Sequence, residues 1–172
     1  LLSPSLPVIG MGIIAGYHFG PKATKKVFAL GGPILLHMII PALDAIVGDD
    51  DNNPDDEQIK ALVKDSYYDH LVKLFVPLHM ALNAFAGYVV TRPNVSLLDQ
   101  VLLGISTGAV NGIAVTTAHE LSHRPNKRDH YWAHASLMPL AYNHFRIEHT
   151  YGHHKRVATP EEIEAIPWMH SL

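Results

Sequence analysis

The chain has no cysteine in 172 residues. That excludes a disulfide framework, a zinc ribbon and an iron–sulfur centre built from its own side chains. Charge is also scarce. Asp, Glu, Lys and Arg make up 17%, against roughly 25% in a typical soluble domain. The net charge of −3 with His neutral gives no electrostatic case for nucleic acid. No internal repeat or low-complexity tract stands out. The first residues lack a basic n-region, so no signal peptide is evident. The first residue is Leu1 rather than Met, and a missing start is expected.

What the chain does have is apolar blocks and thirteen histidines. Residues 6–20 are apolar but short for a bilayer crossing. A basic turn, Pro21–Lys26, follows. Val27–Val47 is long enough to cross a ~30 Å hydrocarbon core, and its Pro33 and Pro41 are tolerated better in a membrane helix than in a soluble one. An acidic stretch over 48–66 reads as a surface loop with a short helix from Asp55 to Lys64. Leu71–Val90 and Ser96–Ala118 read as two further spans. Neither Val27–Val47 nor Ser96–Ala118 shows the polar face that a helix of a soluble bundle needs. Gly104, Gly108 and Gly112 recur every four residues, a pattern that lets membrane helices approach closely. The expected fold is all-α, an integral-membrane helical bundle with about four spans, over residues 1–118. Residues 119–172 form a separate polar region, in which Tyr131–Tyr142 reads as a short interfacial or buried helix. Counting crossings puts the 48–66 loop and this region on one side. Its larger Lys/Arg count makes that side cytoplasmic.

Two histidine clusters open that region: Ala118–Arg124 and Glu148–Lys155. They place five imidazoles and two carboxylates within 36 residues. His119 and His123 are four apart, as are His149 and His153, so each pair shares one face of a helix. His154 adds a ring about 100° further round, in reach of a second metal. Neutral imidazole suits iron, zinc, copper and nickel, and five rings exceed what one tetrahedral metal takes, so two metals are plausible. Glu120, Glu148, His144 and Asp44 are candidates for the shell that orients the ligands. His18, His70, His130, His134 and His170 read as ordinary satisfied polar residues. His37 and His79 lie inside spans, where ionisable groups are expensive.

His119-Glu120-Leu121-Ser122-His123 also fits H-E-x-x-H, in which two histidines hold zinc and the glutamate is the general base of a metalloprotease. That reading leaves His149, His153 and His154 without a joint role.

The two clusters resemble the first two histidine boxes of the membrane-bound alkane 1-monooxygenases, relatives of the integral-membrane desaturases and hydroxylases. The resemblance rests on Thr117–Arg124 and Glu148–His154, on the Val157-Ala158-Thr159-Pro160-Glu161 tail, and upstream on Ile40–Asp44 and Asn52-Asn53-Pro54. It covers roughly residues 27–162, and the tail separates the family from desaturases and xylene-type hydroxylases. It implies six membrane helices, cytoplasm-facing boxes at a bacterial inner membrane, and two non-haem iron ions held by His119, His123, His149, His153 and His154 among others. It implies terminal hydroxylation of medium-chain alkanes by O2. The alkane would come from the bilayer, and the electrons from rubredoxin with its reductase. The family's third box and single-His motif have no counterpart here, and Ile163–Leu172 match nothing in it, so a partial chain is expected. A fatty-acyl desaturase or hydroxylase of the same superfamily is the nearest alternative, then a membrane zinc protease.

Overall fold

In a computed structural model, residues 4–48, 53–157 and 159 are described. Ala158, Pro160 and Glu161 of the family-like tail, Ile163–Leu172 and His170 lie outside them. The described residues contain helices and turns and no strand. Together with its apolar segments this makes the fold an all-α membrane bundle. The chain divides into two compact units, 1–114 and 115–172.

The first unit begins with α1 (Ser5–Phe19), an apolar helix of 15 residues. A 3-10 turn leads into α2 (Lys25–Ala29), then α3 (Gly31–Ile34), a π-turn (Leu35–Ile39) and α4 (Ile40–Val47). The second apolar segment, Val27–Val47, is therefore not one straight span. The chain bends by 58° between Lys22–Ala29 and Gly31–Val47. Two features account for the irregularity. Gly31, Gly32 and Pro33 follow Leu30, and both residue types weaken a helix interior. Pro41 has no N–H to bond the His37 carbonyl, and the π-turn directly before it absorbs the mismatch.

Gly32 is also a point of close approach to Ser106. Its N–H donates to Ser106 Oγ at 2.6 Å. A Cβ there would stand 2.2 Å from the Ser106 carbonyl oxygen. Close backbone approach of this kind is how membrane helices gain packing when lipid is as apolar as their side chains.

A capping box opens α5 (Asp56–Lys64): Asp55 accepts from Glu57 and Gln58 N–H, and Gln58 accepts from Asp55 N–H. This is the short helix expected in the acidic loop. Asp65 caps α6 (Ser66–Val90) through Tyr67 N–H at 2.9 Å. Pro77 sits inside α6 without breaking it. Ser96 opens α7 (Leu97–His123): its Oγ accepts from Asp99 N–H at 3.2 Å and its hydroxyl donates to the Asp99 carboxylate. Asp99 also pairs with Lys26.

Both α6 and α7 are long and apolar enough to cross a membrane; the bent pair makes a third crossing if counted as one. The four spans of the sequence reading thus become two full ones, a bent one and the short α1. α1 packs on α6, and Ile14, Tyr17, Leu82, Val89, Leu103 and Val110 form the core. Large apolar side chains such as Met38, Ile46, Val101 and Ile105 point outward, as lipid-facing residues do.

Inside the α6–α7 contact lies a polar knot. His79, fully buried, shares its Nε2 hydrogen with Asn111 Oδ1 at 2.7 Å. Asn83 and Asn111 exchange amide hydrogen bonds at 3.0 and 2.8 Å. Beside it runs a groove of ≈ 260 Å³ lined by Asn83, Gly87, Leu103, Gly104, Gly108 and Asn111, among others. Apart from the adjoining residues and backbone of α7 itself, no described atom comes within 4 Å of a Cβ built on Gly104, Gly108 or Gly112. The helix packing expected of that glycine row is therefore not met among the described residues.

Candidate metal centre

The second unit carries both histidine clusters. α7 runs unbroken through Ala118 to His123, so His119 and His123 project one turn apart, as the spacing predicts. Asn126 then caps α8 (Lys127–Leu137) through Arg128 N–H at 3.0 Å. A 3-10 turn, Met138–Leu140, follows, with Ala141 in the left-handed region at φ 52°. This is the short helix, interfacial or buried, expected over 131–142, shifted towards its N-terminus; it buries Ala133, Ser136 and Leu137 and exposes Tyr131. A single turn, α9 (Phe145–Ile147), leads into a π-helix over Glu148–His153, and α10 (His154–Arg156) completes the segment.

The π-helix changes which histidines meet. In an α-helix His149 and His153 would share a face. A π-helix bonds i to i+5 and turns less per residue, which brings His154 round beside His149 while His153 stays next to it. Accordingly His154 Nε2 lies 3.0 Å from His149 Nε2. His123 Nε2 is 3.2 Å from both His119 Nε2 and His149 Nε2. One nitrogen from each of His119, His123, His149 and His154 fits within a 4.8 Å group. His153 is outside that group; its ring stacks on His149 with centroids 5.2 Å apart. The structure thus gathers four of the five expected ligands. It moves His154 into the first set, where the α spacing had directed it towards a second metal.

The donor set fits a metal ion. Four ring nitrogens facing one point are mutually repulsive unless protons or a cation lie between them. With metal–nitrogen bonds of about 2.0–2.1 Å, neighbouring ligand nitrogens stand about 2.8–3.0 Å apart in octahedral and about 3.3–3.4 Å apart in tetrahedral arrangements; the three short contacts, at 3.0–3.2 Å, fall between these values. His149, half-buried, has its pKa lowered to about 4, first by burial and then by the neighbouring His119, His154, His123 and His153. It is therefore neutral at pH 7 and offers a lone pair. Phe145 stacks on its ring at 5.0 Å and fixes its plane.

The candidate outer-shell residues fare differently. Glu120 turns to Arg124, whose Nε and Nη2 reach its Oε1 at 3.3 and 3.2 Å. Glu148 lies 3.8 Å from His144 and both are exposed. Asp44 is exposed on α4, in the first unit. Sequence reasoning gave no role to Phe145, Arg146 or His130. His130 is indeed satisfied: its Nε2 donates to the Arg124 carbonyl at 2.9 Å, and its Nδ1 accepts from Arg146 Nη2 at 2.8 Å. No spacing rule would have found that pair, because 16 residues separate its members.

With four imidazoles converging, a tetrahedral zinc would keep no open position, and the only carboxylate of the H-E-x-x-H run is engaged by Arg124. Both observations count against the protease arrangement, which needs three ligands, a water and a free glutamate.

No family model matches the chain. Among characterised proteins it is similar to the alkane 1-monooxygenase of Acinetobacter baylyi, with 59% identity over 94% of this chain and 40% of the relative. It is similar to that of Ectopseudomonas oleovorans, with 40% identity over 92% of this chain and 38% of the relative. The Pseudomonas putida alkane 1-monooxygenase is 42% identical over 71% of this chain and 30% of the relative. The chain spans about two fifths of the length of the first of these.

Proposed function

Because this chain is homologous to the alkane 1-monooxygenases over nearly all of its length, we propose that its protein hydroxylates the terminal carbon of medium-chain alkanes with O2 at a di-iron centre. The observation that carries the reading is the convergence of His119, His123, His149 and His154 into one nitrogen-lined group. His153 belongs to the same centre and contributes to the second iron, with further ligands from elsewhere in the protein. Electrons come from rubredoxin and its reductase. The protein is integral to a bacterial inner membrane, with the histidine region on the cytoplasmic face.

The chemistry explains why such a donor set is needed. A terminal C–H bond is strong and unpolarised, and no acid, base or nucleophile of the chain can attack it. Iron, when bound, supplies the redox chemistry that the side chains lack. The residues of the chain bind, orient and insulate. The four imidazoles hold the metal as neutral donors. Phe145 packs an apolar ring against His149 and keeps water from that side. Arg124 draws the Glu120 carboxylate away from the imidazoles. An alkane offers no donor or acceptor, so it partitions from the bilayer and is selected by shape alone.

Elemental analysis of the detergent-purified, full-length protein tests this first. About two irons per chain, with 1-octanol formed from octane, O2 and reduced rubredoxin, is the expected result. One zinc, no iron and hydrolysis of peptides would overturn it. Iron with turnover of fatty-acyl chains and none of alkanes would select the desaturase alternative.

A further inference from the structure

We infer that His130 and Arg146 form a positioning pair for the metal centre, setting the distance between the two histidine segments before any metal arrives. The inference rests on reading His119, His123, His149 and His154 as ligands. Arg146 lies on α9, three residues before His149. His130 lies on α8, and its ring bridges from Arg146 Nη2 to the carbonyl of Arg124, the residue directly after His123. A guanidinium only donates, so Nδ1 must be the acceptor and the ring proton must sit on Nε2. That is the tautomer the Arg124 carbonyl requires. The bonds therefore run in one sense, from Arg146 through His130 to the end of α7.

The same end of α7 is held a second time. The Arg124 guanidinium bonds Glu120 and stands 3.9 Å from buried Asp129. His130 and Arg146 are both half-buried, so their contact is less screened than a surface pair.

A device of this kind is needed because the imidazoles cannot do the work themselves. Neutral rings can place a proton in at most two of the three Nε2–Nε2 contacts, so without a cation at least one contact at 3.0–3.2 Å sets lone pair against lone pair. Something else must hold α7 and the π-helix close. Outer contacts that orient metal ligands are typically worth 10–100-fold in affinity. His130 acts one step further out, so about tenfold is expected.

The test uses the full-length protein in detergent, emptied of metal and titrated with Co(II), whose visible bands report coordination geometry. Arg146→Met and His130→Ala are each expected to weaken Co(II) binding about tenfold and to shift the bands. The double variant should be no worse than the poorer single one. His130→Gln, which presents both an N–H and a carbonyl, should recover most of the affinity. The helix content and thermal midpoint of the metal-free protein should stay at wild-type values. Should Arg146→Met fail to insert, His130→Ala and His130→Gln decide by the same criteria. Variants that bind Co(II) within twofold of wild type with unchanged bands would overturn the positioning role alone. A wild-type protein that takes up no Co(II) would overturn the ligand reading beneath it.

Discussion

The π-helix over Glu148–His153 makes a sharp prediction about which of two adjacent histidines matters to the first metal. The perturbation is His154→Ala compared with His153→Ala. In the structure His154 Nε2 is 3.0 Å from His149 Nε2, whereas His153 stands outside the converging four. Four-ligand structural metal sites hold zinc with apparent free energies of about 10–16 kcal/mol. Shared equally, one ligand contributes about 2.5–4 kcal/mol, or about 10²- to 10³-fold in affinity. His154→Ala should therefore weaken the first equivalent of metal by that factor. His153→Ala should leave that equivalent within about threefold, because its ring stacks on His149 from outside the converging group. The assay is competitive titration of metal-free protein against a chelator of known affinity, with the first and second equivalents resolved. The reasoning fails if His153→Ala costs the first equivalent as much as His154→Ala was expected to, with His154→Ala silent. That pattern would mean that the segment keeps α-helical spacing and that His153, rather than His154, points its nitrogen at the first metal.

Three further predictions concern the fold. Gly32→Ala should destabilise the detergent-solubilised protein by about 2–4 kcal/mol in a denaturant titration, since the new Cβ meets the Ser106 backbone at 2.2 Å; Gly104→Ala, with open space around it, should cost under about 1 kcal/mol. Asn111→Leu should cost about 1–3 kcal/mol by the same measurement, because it strands the His79 and Asn83 polar groups between α6 and α7; a neutral result would show that lipid or water satisfies them. Asp55→Ala should remove the capping box of α5 at a cost of about 1 kcal/mol, read as faster amide exchange at Glu57 and Gln58 with α6 unchanged.

Much of this protein is written in its sequence. Local rules suffice where one short stretch decides the outcome. Asp55 with Gln58, and Ser96 with Asp99, announce helix starts because the capping partners are three residues apart. The long apolar runs of α6 and α7 announce crossings because only a helix satisfies its backbone within lipid. His119 and His123 meet as predicted because α7 continues through them without interruption.

Other features depend on atoms far apart in the chain, and the spacing of residues is silent on them. Gly32 has no room for a side chain because Ser106, 74 residues later, presses on it. The glycine row of α7 looked like a packing face, yet it borders an open groove, because a small residue permits contact without supplying a partner. Glu120 could have turned to an imidazole but pairs with Arg124, one turn on, where opposite charge is nearest. The ligand chemistry and its two segments were thus determined by sequence alone: imidazole at helical spacing beside a membrane span. Which four rings converge was decided by tertiary structure. A π-turn bonds i to i+5 and turns less per residue, which brings His154 rather than His153 into the converging group.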